Sequence, residues 1–141
     1  LSWDEVHAEA EILEHAVSDR LLEALDEALE HPVRDPHGDP IPAADGRVVQ
    51  PELRSIDNLR VGQTAVVGRI KDCPRTLRHL ALAGIGLDTS VTVTDRGTMS
   101  AVVPGEKRRE ATLVCAVRAA GDPPSERADA VVPVGHLWVL A

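Results

Sequence analysis

The sequence predicts an α+β protein: an N-terminal helical segment followed by a small β-barrel. Two observations carry this. Apolar residues recur at helical spacing through the first thirty positions, and short β-rich runs separated by turn residues fill positions 55–141. Between them, residues 43–54 are rich in Ala, Asp, Gly, Gln and Pro and read as a linker. The expected organisation is therefore 1–42 helical, 43–54 linker and 55–141 barrel.

The first helix is expected from Ser2 or Trp3 to Val17. At about 100° per residue, Trp3, Val6, Ala10, Leu13 and Val17 form one apolar stripe. Beside it, His7, Glu11, Glu14 and His15 share about a third of the circumference. Imidazole nitrogen with carboxylate oxygen suits Mn, Fe, Co or Zn, and a solvated polar face is the plainer alternative. Ser18-Asp19 reads as an N-cap with an acidic first turn, opening a second helix. Leu21, Leu22, Leu25, Ala28 and Leu29 stripe that helix until Pro32, which cannot continue it. Residues 31–42 hold four prolines and form a shaped loop in which His37 has a structural role. Two helices this short cannot bury a core alone, so their stripes are expected to pair with a second copy of the chain.

In the second part, Thr64–Ile70 reads as a strand, Thr76–Ala83 as a short helix closed by Gly84-Ile85-Gly86, and Thr89–Thr94 as an alternating strand. Asp95-Arg96-Gly97 has turn chemistry. Further strands are expected at Met99–Val103, Ala111–Val117 and Leu137–Leu140. His79 is read as a surface residue of the short helix and Cys115 as a small buried hydrophobe. Lys107-Arg108-Arg109 reads as a solvated turn.

Composition narrows the function classes. Phe and Tyr are absent, and Trp3 and Trp138 are the only aromatics, so the core must be aliphatic. The net charge of −8 is concentrated in residues 1–42, where twelve Asp/Glu face two Arg. That segment attracts cations and repels a phosphate backbone. Two isolated cysteines form no disulfide framework, and a reducing cytoplasm is expected. The longest apolar run, Leu80–Leu87, is too short to span a bilayer, so no membrane partner is expected.

The run Val6-His7-Ala8-Glu9-Ala10-Glu11-Ile12-Leu13-Glu14-His15-Ala16-Val17-Ser18-Asp19, continued by Pro36-His37-Gly38-Asp39-Pro40-Ile41-Pro42, resembles the metal-binding and dimerisation domain of the diphtheria toxin repressor family. These are iron- or manganese-dependent transcriptional repressors. Residues 55–141 resemble, more loosely, the FeoA-like, SH3-like domain that follows it in many members, through Leu59-Arg60-Val61-Gly62-Gln63 and the Leu77–Leu87 helix and turn. The resemblance implies that Glu14 and His15 are ligands of the primary regulatory metal. It places Glu11 where iron-responsive members carry Cys and manganese-responsive members Glu, and His7 at an ancillary site. A carboxylate at Glu11 is a harder ligand than thiolate and favours Mn²⁺, with Fe²⁺ the alternative. Asp72 is the one residue of the Lys71–Thr76 stretch able to serve as a further ancillary ligand. A helix cap is its plainer role.

The family's winged helix-turn-helix and long linking helix would precede the position of Leu1, and Leu1-Ser2-Trp3 reads as a join between two helices, so a missing N-terminal portion is expected. Operator DNA is therefore expected to be reached only through such an N-terminal domain, with no DNA-binding residue in this chain. The reading that follows is non-enzymatic: the metal-sensing, dimerising portion of a repressor, forming a homodimer. Two alternatives stand beside it. One is a FeoA-like protein-interaction module with the helical pair as a dimer handle. The other is a helical metalloenzyme, disfavoured because the chain has neither HExxH nor a pair of Glu-x-x-His motifs.

Overall fold

A computed structural model of the chain describes residues 3–100, 111–120 and 129–141. It divides into two compact units, Leu1–Gln50 and Pro51–Ala141. No helix among the described residues is long and apolar enough to cross a membrane.

The first unit holds helices α1 (Trp3–Glu14) and α2 (Asp19–Ala28) and the loop after them. α1 ends three residues before the expected Val17. Ser18 is the reason: as N-cap of α2 it is extended (φ −79°, ψ 155°), and its hydroxyl accepts from the Leu21 N–H at 3.3 Å. A residue in that conformation cannot belong to the preceding helix, so the chain leaves α1 through a tight turn. The Ala16 and Val17 N–H groups both donate to the Leu13 carbonyl across it. α2 stops at Ala28, before Pro32 is reached, because Glu30 (φ 59°) and His31 (φ 57°) turn left-handed. That conformation costs a non-glycine residue energy. It is offset by the His31 N–H bond to the Asp26 carbonyl (2.8 Å) and by the 2.6 Å contact of His31 Nδ1 with Asp26 Oδ2.

The second unit comprises strands β1 (Leu53–Ser55), β2 (Thr64–Ile70), β3 (Ser90–Ser100), β4 (Ala111–Ala119), β5 (Ala130–Pro133) and β6 (Leu137–Leu140), with helix α3 (Pro74–Leu82) between β2 and β3. All pairings are antiparallel, in the order β1-β6-β2-β3-β4-β5. The ends of the two edge strands approach one another, since Ser55 Oγ, closing β1, donates to the carbonyl of Val134, just past β5 (3.2 Å). The sheet is thereby curled around an aliphatic core that includes Ile56, Val67, Leu80, Val91, Leu137 and Val139, each fully buried. α3 begins two residues earlier than periodicity suggests, because Pro74 sits at its first turn, where a missing N–H costs nothing. It closes on Gly84 (φ 71°), with the Ile85 N–H returning to the Leu80 carbonyl at 2.9 Å, a Schellman-type end.

Three sequence expectations need revision. Asp95-Arg96-Gly97 is not a turn: β3 runs through it, with Arg96 paired to Cys115 and Gly97 to Val114. A register shift between Val93 and Asp95 absorbs the irregularity, and the Arg96 guanidinium is anchored on the Asp57 carbonyl and carboxylate. β1 begins inside the stretch read as linker, because β6 offers it a complete pairing edge from Leu53 to Ser55. β5 was not anticipated; its Ala-Val-Val-Pro run is too short to stand out from its surroundings. Of the expected strand at Met99–Val103, Met99 and Ser100 end β3, and the remainder lies outside the described residues, as does Lys107-Arg108-Arg109. Cys115 is fully buried as expected, and burial pushes its thiol pKa up.

Candidate metal centre

The candidate ligands lie at the C-terminal end of α1. Glu11 and Glu14 are three residues apart in its last turns, so both side chains leave the same side of the helix. His15 follows in the turn that the Val17-to-Leu13 hydrogen bond closes. Its Nε2 stands 4.0 Å from Glu14 Oε1, and both side chains are open to solvent, 83% and 71% exposed. His7 belongs to the same helix, two turns earlier; its side chain lies outside the described part of the structure. Among the described residues, no three His, Cys, Asp or Glu side chains are already closed around a common point. Asp72 is in the second unit, between β2 and α3. The N-cap residue of α3 is Cys73, the residue after it.

The electrostatics of this helix end favour a cation. The last turn of α1 has no basic residue, and it places Glu14 where the helix dipole is negative. Carboxylate charge there is unfavourable until a positive ion offsets it. The donor set of carboxylate oxygens and imidazole nitrogen is hard to intermediate in character and matches Mn²⁺ or Fe²⁺ better than soft, thiophilic ions.

The proline-rich loop is organised by a residue that the sequence reading did not single out. Asp35 Oδ1 accepts from the N–H groups of His37 (2.9 Å) and Asp39 (2.8 Å), while Oδ2 meets His37 Nδ1 at 3.1 Å. The Gly38 N–H donates to the Asp35 carbonyl, Gly38 itself being left-handed at φ 95°. His37 is only 13% exposed and shapes the loop, as expected. Burial works to raise the Asp35 pKa, but the hydrogen bonds from His37 and Asp39 outweigh it, and the carboxyl is held below its ordinary value of 3.8. A depressed folded pKa means that the unfolded chain takes up the proton first. The Asp35 contribution is therefore complete above about pH 4 and is lost as pH falls through its lower folded value. Asp35→Ala should cost about 1–3 kcal/mol by leaving these donors without their acceptor, measured by urea denaturation at pH 7. The Asp-Pro-His-Gly-Asp-Pro run is the signal that marks the motif, since Asp before a Pro-containing turn commonly caps backbone amides.

Residues 1–43 match the family model described as the iron dependent repressor metal binding and dimerisation domain. Among solved structures, a manganese-dependent transcriptional repressor is 39% identical to this chain, with a TM-score of 0.71, and the match covers 100% of this chain and 70% of that one. The chain belongs to the metal-dependent transcriptional repressor family. A second structure, the manganese-dependent transcriptional repressor in complex with manganese, is 37% identical over 100% of this chain and 61% of its own, with a TM-score of 0.69. The metal-dependent transcriptional regulator MtsR is 26% identical, with a TM-score of 0.66, covering 98% of this chain and 60% of that one. The IdeR protein of T. acidophilum, at 22% identity and a TM-score of 0.68, shares the fold. The chain thus spans about 60–70% of the length of the repressors it resembles. Among the curated proteins none matches it. The six-stranded antiparallel sheet with its helices is the architecture of the C-terminal domains in these repressors.

Proposed function

We propose that this repressor chain senses Mn²⁺ or Fe²⁺ through Glu11, Glu14 and His15, with His7 as an ancillary ligand, and that it works as a homodimer rather than as an enzyme. The metal reading is supported by the match of residues 1–43 together with the carboxylate–imidazole set at the end of α1. In a metal-dependent repressor, the ion shifts the population toward the DNA-competent state by binding that state more tightly. In this chain, Glu11 and Glu14 supply negative oxygens and His15 a neutral nitrogen. The ion would supply the positive charge that this helix end lacks. Operator contact is assigned to no residue of this chain, and Asp72 is retained only as a further ancillary ligand.

The homodimer rests on one observation: among the described residues, the apolar stripe of α2 is exposed. No residue of α2 is buried, and Leu22, Leu25 and Leu29 remain 60%, 44% and 65% exposed. Leu13 on α1 is similarly open at 57%. Leucines at this spacing form a contiguous patch that water disfavours, and a second copy presents the same patch to it. Sedimentation velocity at about 50 μM, within the range of weak to moderate association, should give the mass of a dimer. A monomer at that concentration would refute the pairing.

A further inference from the structure

Outside the metal centre, two histidines of the second unit perform matching tasks that the repressor reading does not use. His79 is on α3, and its Nε2 accepts a hydrogen bond from the Val131 N–H of β5 at 3.2 Å. His136, in the short turn between β5 and β6, places its Nδ1 2.7 Å from the hydroxyl of Thr76, a buried residue in the first turns of α3. Each ring therefore ties α3 to the β5–β6 segment, one from either side of the contact. Among the described residues, β5 is also an edge strand, paired with β4. The Val131 N–H is one of its outward-facing donors, and His79 covers it.

We propose that these two histidines form a proton-sensitive latch that holds α3 over the free edge of β5, so that mild acid loosens this corner and uncovers the strand edge. The chemistry is directional. A backbone N–H can only donate, so the Val131 bond exists only while His79 Nε2 keeps its lone pair, with the ring proton on Nδ1. Protonation turns Nε2 into a donor facing a donor. At His136, protonation makes Nδ1 a donor, and the Thr76 hydroxyl must reverse to accept. Burial and the nearby Lys71 charge hold the His136 pKa below 6.5, so the neutral ring belongs to the folded state. The charged groups on the surrounding elements are Lys71, Asp72, Arg75, Arg78 and Asp129. Of these, Lys71 acts on the His136 ring, whose Nδ1 meets Thr76, and Asp129 is engaged by Thr94 and Arg118. Because the folded pKa of His136 is depressed, the unfolded chain protonates first, and stability falls as pH drops below about 6.5.

The test uses the full chain. Hydrogen exchange should show the protection factor of the Val131 amide falling at least fivefold between pH 7.5 and pH 5.5. The Val93 amide, bonded to the Gln63 carbonyl in the same unit, should change less than twofold. The double variant His79→Gln/His136→Asn keeps an acceptor near each nitrogen but cannot titrate, and should abolish the Val131 pH response. A wild-type Val131 protection factor that is flat across this range, or that falls in parallel with Val93, would overturn the latch. So would a folded double variant with an unchanged pH response. Should the double variant not fold, the wild-type comparison of the two amides decides by itself.

Discussion

Leu80→Ala should lower the melting temperature of the second unit by roughly 10 °C or more, the largest stability effect expected of a single substitution in this chain. Leu80 is fully buried and belongs to α3, which contributes Leu77 and Leu80 to the core of the second unit. Its carbonyl also receives the Ile85 N–H that ends α3, so the residue stands where the helix is both packed and terminated. Truncating a buried leucine removes its transfer free energy and leaves a cavity, together about 2–5 kcal/mol. The core here contains no aromatic side chain able to swing into the void, since the lone Trp of this unit, Trp138, is half-buried beneath the Arg69 guanidinium (5.1 Å). Thermal unfolding followed by circular dichroism measures the shift. Leu82→Ala, at a position 88% exposed on the same helix, should change it little and serves as the control.

The second large effect concerns assembly. Leu25→Glu should raise the dimer dissociation constant about a hundredfold or more, equivalent to roughly 3 kcal/mol. Leu25 is the least exposed of the α2 leucines, flanked by Leu22 and Leu29 on the same stripe, which puts it at the middle of the proposed interface. An unpaired carboxylate buried at such a centre is far costlier than the loss of the leucine contacts alone. In a two-fold arrangement the change is made twice and the two new charges repel each other. Dilution series by sedimentation give the constant. Circular dichroism verifies that the second unit, whose core does not include Leu25, stays folded in the variant.

The sequence made some of this legible and concealed the rest for identifiable reasons. α2 was readable because its leucine periodicity and Ser18 cap act locally, and β2 and β6 because alternating or continuous aliphatic runs sit between clear breaks. The end of α1 was set too far along, since the spacing of Val17 fits a helix while the extended Ser18 next to it forbids one. β1, β5 and the full length of β3 depend on partners distant in sequence, which local patterns do not encode. Arg96 is the clearest instance: its sequence neighbours spell a turn, and its contacts with Asp57, 39 residues away, make it part of a strand. The candidate ligand types of the proposed metal centre stand out in the sequence because Glu11, Glu14 and His15 are sequence neighbours. The bonds of His79 to Val131 and of Thr76 to His136, spanning 52 and 60 residues, left no local trace.

The most direct test of the proposed metal centre is calorimetric titration of Mn²⁺ into this chain and into Glu14→Gln/His15→Ala. The acidic face of the first unit attracts any cation weakly, so the comparison between the two proteins carries the answer, not binding by the parent alone. The account predicts a saturable site in the parent whose affinity drops at least about tenfold in the variant, since losing even an outer-shell partner of a metal ligand commonly has that effect. Equal affinity and stoichiometry in the two proteins would contradict it.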